Sequence, residues 1–226
     1  MKIIAINGSP RRDGNSVRLL EKWVEGFKYL HPDAEVDVIN LYDYAYTGCR
    51  SCFACKRKGG KFYGTCPIRD GLHDLIPVVQ HADAVAIAAP IYFGSINAYT
   101  KAFLERLLFS VTTYREGHES VAPKNIPFTM IYSMNAPKVW AEAHGYEQQW
   151  NEIEWYISNA FRMPVHRVVL YFTYQFKHYE DYEMEMFSEE EKRKYRDVHF
   201  PEDLNKAFYA GIDVAERFDT KKHNDK

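Results

Sequence analysis

The chain has no long apolar run, no excess of charge of one sign and no cysteine outside one short stretch. No run approaches the ~20 apolar residues of a membrane span, and 29 basic against 31 acidic residues give no indication of a nucleic-acid or anionic-membrane partner. Its beginning shows no charged-then-apolar leader. These absences predict a cytoplasmic protein whose partners are small molecules.

The composition is that of one compact domain. The 226 residues are 46% hydrophobic and 15% aromatic, which is enough to bury one sizeable core. We find no internal repeat and no low-complexity segment, so a single domain over residues 1–226 is expected, with a disordered tail at 221–226.

Apolar runs alternate with amphipathic stretches along the chain, and the alternation predicts the fold. The runs cover residues 2–7, 35–41, 83–90, 126–133 and 165–172. Helical spacing follows between them, and the last helix is predicted to begin at Pro201. Continuous apolar strands are typical of a parallel sheet covered on both faces. We therefore expect an α/β fold with a doubly wound five-stranded parallel sheet and helices on both faces.

Two regions exceed this minimal fold. Residues 42–71 form a long loop that contains the cysteines, and residues 171–200 form an aromatic and acidic insertion. Because a monomer would leave many of the aromatic side chains of the insertion uncovered, and aromatic residues are enriched at interfaces, we expect a homodimer or homotetramer.

The first strand runs into a polar turn that opens a helix. Residues 7–16 read Asn-Gly-Ser-Pro-Arg-Arg-Asp-Gly-Asn-Ser, in which Gly8 and Gly14 are interpreted as sites of unusual backbone conformation. A helix N-terminus offers unpaired N–H groups and partial positive charge to an anion. The sequence lacks the Walker lysine, and Pro10 breaks the dinucleotide fingerprint. The turn thus favours one terminal phosphate, as in FMN, over an ordinary strand-to-helix turn.

A second loop suits a flat ring. Residues 90–97 read Pro-Ile-Tyr-Phe-Gly-Ser-Ile-Asn, which combines apolar and aromatic side chains with a glycine whose N–H can approach a ring nitrogen. Ligands of doubly wound folds bind beyond the carboxyl ends of the strands. The loops at 7–16, 90–97 and 132–137 are therefore expected to converge, with 90–97 against an isoalloxazine. A surface loop is the alternative for 90–97.

All four cysteines lie between residues 49 and 66, with two-residue gaps separating the first three. Such gaps can turn the backbone so that several thiolates reach one centre. The four cysteines are Cys49, Cys52, Cys55 and Cys66. Their spacing is compatible with three alternatives: an iron–sulfur cluster, a structural zinc, or free redox-sensitive thiols.

Together these motifs resemble the flavodoxin-like NAD(P)H-dependent FMN reductases, and within them the iron–sulfur flavoproteins. The match is carried by Gly8-Ser9-Pro10-Arg11 with Gly14-Asn15-Ser16, by Gly48 with the cysteine cluster, and by residues 90–95. The resemblance implies a flavodoxin-like fold, NADH or NADPH as co-substrate, and a 4Fe-4S cluster on the four cysteines. It also implies an FMN site made of Ser9, Arg11, Asn15, Ser16, Val17, Pro90, Ile91, Tyr92, Phe93, Gly94, Ser95, Tyr132, Ser133 and Asn135.

The function expected from sequence is that of an FMN-dependent oxidoreductase. Electrons would pass from NAD(P)H or another donor to a small acceptor such as a quinone or a flavin, with the chemistry centred on the flavin and no side chain as catalytic acid or base. The histidines are scattered without metal or triad spacing. The alternative is a non-enzymatic flavin and iron–sulfur electron carrier or a redox-responsive binding module.

Overall fold

A parallel sheet organises the chain, for which a computed structural model describes residues 1–224, with the backbone alone at 118 and 219–224. Its strands are β1 (Lys2–Asn7), β2 (Glu35–Asn40), β3 (Ala84–Tyr92), the short β4 (Ser95–Ile96), β5 (Phe128–Ser133) and β6 (Val165–Leu170). Five strands run parallel in the order β2-β1-β3-β5-β6, and β4 pairs antiparallel with the end of β3. The predicted five-stranded parallel sheet is confirmed.

Helices cover both faces of the sheet. They are α1 (Asn15–Leu30), α2 (Leu75–Gln80), α3 (Ala98–Val111), α4 (Lys138–Ala143), α5 (Tyr146–Phe161) and α6 (Glu189–Asn224). Successive strand residues point to opposite faces. Ile3 thus packs in the core beneath α1 and α6, whereas Ile4 packs beneath α2, α3 and α5.

Helices α1 and α6 meet backbone to backbone on one face. A Cβ atom on Gly211 would lie 2.1 Å from the carbonyl oxygen of Trp23, and one on Gly26 would lie 1.9 Å from that of Phe208. The close approach lets Trp23 reach the sheet, where its indole Nε1 donates to the buried Thr129 Oγ1 at 2.9 Å. Glycine is needed at both positions for space.

The last helix differs from the sequence prediction. It begins at Glu189, twelve residues before the predicted start, and Pro201 lies inside it. The first turn carries three glutamates, and Ser188 Oγ accepts a hydrogen bond from the Glu191 N–H at 3.4 Å. These are N-terminal helix signals, and the proline interrupts the hydrogen bonding without ending the helix. The last twelve residues of the predicted insertion, 189–200, are therefore helical.

The C-terminal tail and the short helices also depart from expectation. Helix α6 continues to Asn224, so the tail expected to be disordered is helical as far as residue 224, and residues 225–226 lie outside the described part of the chain. The short helices α2 and α4 and the strand β4 were not predicted. Among residues 1–224, no helix combines the length and apolar character required to cross a bilayer.

Candidate cofactor site

A cavity of about 330 Å³ lies at the carboxyl edge of the sheet, beside the point where the strand order reverses between β1 and β3. The loops after β1, β3 and β5 all reach it, as the sequence predicted, and so does the insertion after β6. The lining residues are Ser9, Arg11, Gly14, Asn15, Ser16, Pro90, Ile91, Tyr92, Phe93, Ser133, Met134, Asn135, Thr173 and Gln175.

The loop after β1 is ordered by the buried side chain of Asn7. Its Oδ1 accepts from the Ser9 N–H at 2.9 Å, and its Nδ2 donates to the carbonyl oxygens of Ser9 and Arg11 at 3.2 and 3.3 Å. The Ser9 hydroxyl in turn accepts from the Arg11 N–H at 3.1 Å. The backbone of the loop is thus fixed by its own contacts, which reduces the entropy lost when a ligand binds.

Glycine at position 8 is required for space. A Cβ there would lie 2.1 Å from Thr100 Oγ1 on α3, and the Gly8 carbonyl oxygen accepts from Asn97 Nδ2 at 2.8 Å. Gly14 has φ −78° and ψ 175°, which is ordinary extended backbone. The interpretation that both glycines serve an unusual backbone conformation is therefore wrong, and Gly8 instead permits the close approach of α3.

The N-terminus of α1 faces the cavity and presents unpaired amides, as an anion site requires. Its N-cap, Gly14, has no side chain to satisfy the first amides, so those of Asn15 and Ser16 have no intrahelical acceptor. The Ser16 hydroxyl lies 2.7 Å from that of Ser133, which joins the loops after β1 and β5. Val17 lies outside the cavity lining, and its N–H donates to the Gly14 carbonyl at 3.1 Å.

The insertion after β6 covers this anion site. Arg11 Nη1 donates to the Gln175 carbonyl oxygen at 2.8 Å, and Asn15 Nδ2 donates to that of Tyr174 at 3.0 Å. The guanidinium of Arg11 also lies 5.9 Å from the ring centroid of Phe176. Carbonyl oxygens thus occupy donor groups of two residues that the resemblance assigned to the FMN site, and these contacts bring the insertion to the cavity.

A tight hairpin forms the apolar wall. Tyr92 on β3 pairs with Ser95 on β4, and the two residues between them, Phe93 and Gly94, have φ of 52° and 83°. Two central residues with positive φ are typical of a type I′ turn. The left-handed conformation of Phe93 costs about 1–3 kcal/mol, yet it holds a fully exposed aromatic ring at the cavity. Gly94 and Ser95 lie outside the lining.

Tyr132 differs from its predicted role, because its side chain lies outside the cavity. The ring is buried and stacks on Trp150 at 5.0 Å, and the hydroxyl donates to Glu154 Oε1 at 3.0 Å. Alternation along β5 directs Tyr132 and Ser133 to opposite faces of the strand, so only Ser133 reaches the site. Burial, with the Glu154 carboxylate beside it, raises the pKa of Tyr132 well above its ordinary value.

Four lining residues lie outside the predicted FMN site. Gly14 belongs to the predicted turn, whereas Met134, Thr173 and Gln175 were missed. Met134 falls within the loop at 132–137 but was not singled out. Thr173 and Gln175 begin the insertion directly after β6, and that position was an available signal because a parallel strand ends at the same edge of the sheet as its neighbours.

The four cysteines surround one small cavity beside α3. One residue in each two-residue gap, Ser51 and Phe53, has a left-handed conformation with φ of 50° and 54°, which turns the chain back on itself. Cys55 is buried and Cys52 is exposed. In the part of the chain that the structure describes, no three histidine, cysteine or carboxylate side chains are grouped closely enough to hold a metal ion. The thiols converge on one space without forming a closed coordination shell.

Helix α3 anchors this loop. Glu105 Oε2 accepts from the Cys49 N–H at 3.2 Å, and Arg106 Nε donates to Cys66 Sγ at 3.1 Å. Lys56 donates to the Phe109 carbonyl oxygen. Burial raises the pKa of the Cys55 thiol, and the nearby Lys56 ammonium opposes that rise. Soft sulfur donors beside fixed cations are a donor set suited to an iron–sulfur cluster or to zinc.

Comparisons with known proteins agree with this architecture. The chain is 37% identical over 106 residues to an iron-sulfur flavoprotein of Archaeoglobus fulgidus, which covers 47% of this chain and 48% of the relative. The chain therefore spans about half the length of the curated relatives it matches.

Two solved structures share the fold at 14% identity. An NAD(P)H:quinone oxidoreductase from Methanothermobacter marburgensis superposes with a TM-score of 0.69, over 95% of this chain and 98% of that one. An FMN-dependent NADH-azoreductase from Bacillus anthracis, in complex with FMN, superposes with a TM-score of 0.66, over 95% and 100%. The model of the flavodoxin-like fold family matches residues 1–198, and the chain belongs to that family.

Proposed function

We propose that the protein is an FMN-dependent oxidoreductase that takes electrons from NADH, NADPH or another donor and passes them to a small acceptor such as a quinone or a second flavin. One observation carries this proposal. One cavity is lined both by the residues of a helix N-terminus with unpaired amides and by the exposed ring of Phe93. A phosphate suits the amides and a flat aromatic ring suits Phe93.

The residues of the cavity divide into two groups. Asn15 and Ser16 would bind the phosphate through backbone amides and the Ser16 hydroxyl, with Arg11 adding positive charge from the rim. Pro90, Tyr92 and Phe93 would contact the ring. FMN supplies acceptance of an electron pair and its release as a pair or singly. The task of these side chains is to bind and orient the cofactor and to leave one face of the ring accessible.

The names of similar proteins point the same way. An NAD(P)H:quinone oxidoreductase and an FMN-dependent NADH-azoreductase share the fold, and iron-sulfur flavoproteins match about half of the chain. A reduced nicotinamide as donor is therefore part of the proposal.

Reconstitution with FMN followed by anaerobic steady-state kinetics tests the proposal. We expect one FMN per chain and oxidation of NADH or NADPH that depends on both FMN and an added quinone. Turnover is measured by the loss of nicotinamide absorbance. A protein that binds FMN but does not turn over with either nicotinamide would leave the electron-carrier alternative. A protein that binds no FMN would contradict both.

The cysteine cavity favours an electron carrier with a 4Fe-4S cluster as the second candidate. Helix α3 begins directly after the loop at 90–97 and bears Arg106, whose Nε donates to Cys66 Sγ. At 1.5 Å per residue, Arg106 lies about 12 Å along the helix axis from the first residue of α3, Ala98. A centre held by Cys49, Cys52, Cys55 and Cys66 would thus lie near the flavin.

Anaerobic purification and analysis for iron and acid-labile sulfide tests this candidate. We expect Cys52→Ala to abolish the broad iron–sulfur absorbance and one-electron transfer while leaving the FMN content unchanged. Lys58→Ala, at an exposed position of the same loop, is the control and should retain the cluster. Absence of iron and sulfide from anaerobic wild-type protein would exclude the cluster and leave a two-electron FMN reductase.

A further inference from the structure

Lys192, in the first turns of α6, is a buried amine without a carboxylate partner. Its side chain has no exposed surface. Its Nζ donates to the carbonyl oxygens of Asn135 and Thr173, at 3.4 and 3.2 Å, and to the side-chain oxygen of Asn135. The rings of Phe172 and Phe187 flank it, with centroids at 4.0 and 4.9 Å. Among the ion pairs of the described residues, none includes Lys192. Buried lysines are rare unless they are paired.

Both residues that accept hydrogen bonds from Lys192 Nζ, Asn135 and Thr173, line the cofactor cavity. The ammonium group can only donate hydrogen bonds. It is therefore compatible with only one orientation of the Asn135 carboxamide, the one with Oδ1 toward Nζ. The other end of the amide, Nδ2, has no hydrogen-bond acceptor within residues 1–224. Lys192 thereby leaves an oriented N–H donor on a residue of the cavity wall.

The charge of Lys192 acts in the same place. Burial lowers the pKa of Lys192 to about 8, so the amine still carries its proton at pH 7. The surrounding phenylalanine rings exclude water, and a charge in such an environment acts more strongly on its neighbours than it would in solvent. Reduction adds electrons to a flavin, and a fixed cation nearby stabilises the more negative form.

We propose that Lys192 is a positioning residue for FMN, which orients Asn135 and Thr173 toward the cofactor and favours its reduced form over its oxidised form. The inference rests on the proposed FMN site. It assigns a role to the N-terminal end of α6, which reaches the cavity wall through the hydrogen bonds of Lys192 to Asn135 and Thr173.

Lys192→Met tests the role, because methionine keeps the length and apolar packing of the side chain but removes the charge and the hydrogen bonds. Lys194→Met is the matched control, since Lys194 lies on the same helix, is exposed and pairs with Glu190 at 2.7 Å. Two readouts are independent of activity: the dissociation constant of oxidised FMN from fluorescence, and the midpoint potential of bound FMN from anaerobic spectroelectrochemistry.

We expect the preference for reduced over oxidised FMN to fall at least tenfold in Lys192→Met, which corresponds to a midpoint potential about 30 mV lower for a two-electron couple. Lys194→Met should match the wild type, and Lys192→Arg should recover part of the loss. An unchanged potential in a folded, FMN-loaded Lys192→Met would overturn the inference. Failure of the wild type to bind FMN would instead overturn the proposed function.

Lys192→Gln keeps the test decisive if Lys192→Met does not fold. Glutamine removes the charge but keeps a side-chain N–H that can donate to the surrounding oxygens, so the buried acceptors keep a donor. We expect the midpoint potential of bound FMN to fall in this variant as well. A potential equal to that of the wild type would count against the proposed role.

Discussion

Arg106 Nε lies 3.1 Å from Cys66 Sγ, and the terminal nitrogens of the same guanidinium donate to both carboxylate oxygens of Asp70, at 2.8 and 3.1 Å. The arginine side chain is completely buried. Such a forked pair fixes direction as well as distance. It explains how Cys66, separated from Cys55 by ten residues in the sequence, is held at the same cavity as the other three cysteines.

Replacing Arg106 should therefore destabilise the protein. Removing one partner of a buried ion pair costs about 3–5 kcal/mol, and we expect Arg106→Met to lower the free energy of unfolding in urea by an amount near the lower end of that range. The control is Arg115→Met, which breaks an exposed pair with Glu119 and should change stability by less than about 1 kcal/mol. Equal effects of the two substitutions would contradict the structural role of Arg106.

The thiols should differ in reactivity when no metal is bound. Cys52 is exposed, whereas Cys55 is buried, and burial raises the pKa of its thiol, which lowers its thiolate fraction. Limited alkylation with iodoacetamide, followed by mass spectrometry, should label Cys52 first and Cys55 last. Cys55 labelling as fast as Cys52 would contradict this order. If the cysteines hold a cluster, anaerobically reconstituted protein should be protected at all four.

The anion site predicts discrimination between FMN and riboflavin. A charge-assisted contact to phosphate contributes about 1.5–3 kcal/mol, so Arg11→Ala and Ser16→Ala should each weaken FMN binding roughly tenfold or more, measured by quenching of flavin fluorescence. Arg12→Ala is the control, because Arg12 pairs with Asp43 and does not line the cavity. Equal affinities of the wild type for FMN and riboflavin would rule out a phosphate site at α1.

The buried amine of Lys192 predicts a rise in stability with pH. Its pKa is about 8 in the folded protein against an ordinary value of 10.5, so between these values the unfolded chain binds more protons than the folded one, and the free energy of unfolding increases. Below pH 7 both states are protonated and the contribution is constant. Urea unfolding of wild type and Lys192→Met across pH 7 to about 10 measures the difference, which should grow in favour of the wild type. A difference in unfolding free energy that does not change with pH would contradict the lowered pKa of Lys192.

The close contact of α1 with α6 predicts that adding one methyl group at Gly211 lowers the stability of the protein. Gly211→Ala would place a Cβ 2.1 Å from the Trp23 carbonyl oxygen, which neither backbone can avoid by a side-chain movement. We expect a loss of about 1–3 kcal/mol in the free energy of unfolding, as for other overpacked sites. Asn205→Ala, at an exposed position of the same helix, is the control and should be nearly neutral. A neutral Gly211→Ala would show that the helices can separate.

The sheet and its loops could be predicted because their signals are local. Apolar runs and turn residues gave all five parallel strands within two residues at each end. The strand-to-helix turn at Ser9 and Asn15 and the loop around Phe93 follow the strands directly. They reach one cavity because parallel strands end at one edge.

The features that the sequence did not predict correctly depend on side-chain orientation and on contacts between residues distant in sequence. Tyr132 and Ser133 are neighbours in sequence, and only the register of β5 decides which of them faces the cavity. The burial of Lys192 depends on Asn135 and Thr173, which no local pattern links to it. The sequence misplaces the start of α6 because proline is typical of the first helical position, whereas Pro201 lies inside the helix.

The expected homodimer or homotetramer stays a prediction. Its reasoning relied on aromatic side chains of the insertion that a monomer would leave uncovered. In the structure several of them cover one another, since Phe176 stacks on Tyr182 at 4.0 Å and Phe172 packs edge-on against Phe187 at 5.3 Å. Light scattering at micromolar concentration measures the oligomeric state directly.

Pro201 divides α6 into two segments of different local cooperativity. The proline has no N–H to donate to the Asp197 carbonyl oxygen one turn earlier. Before it, Lys192 donates to the Thr173 carbonyl oxygen, and Glu189 and Arg196 contact Tyr174. After it, Ala207, Ala210 and Val214 lie in the core against α1. Amide hydrogens of residues 189–200 can therefore exchange with solvent through local opening, whereas those of residues 203–215 exchange only when the whole domain unfolds.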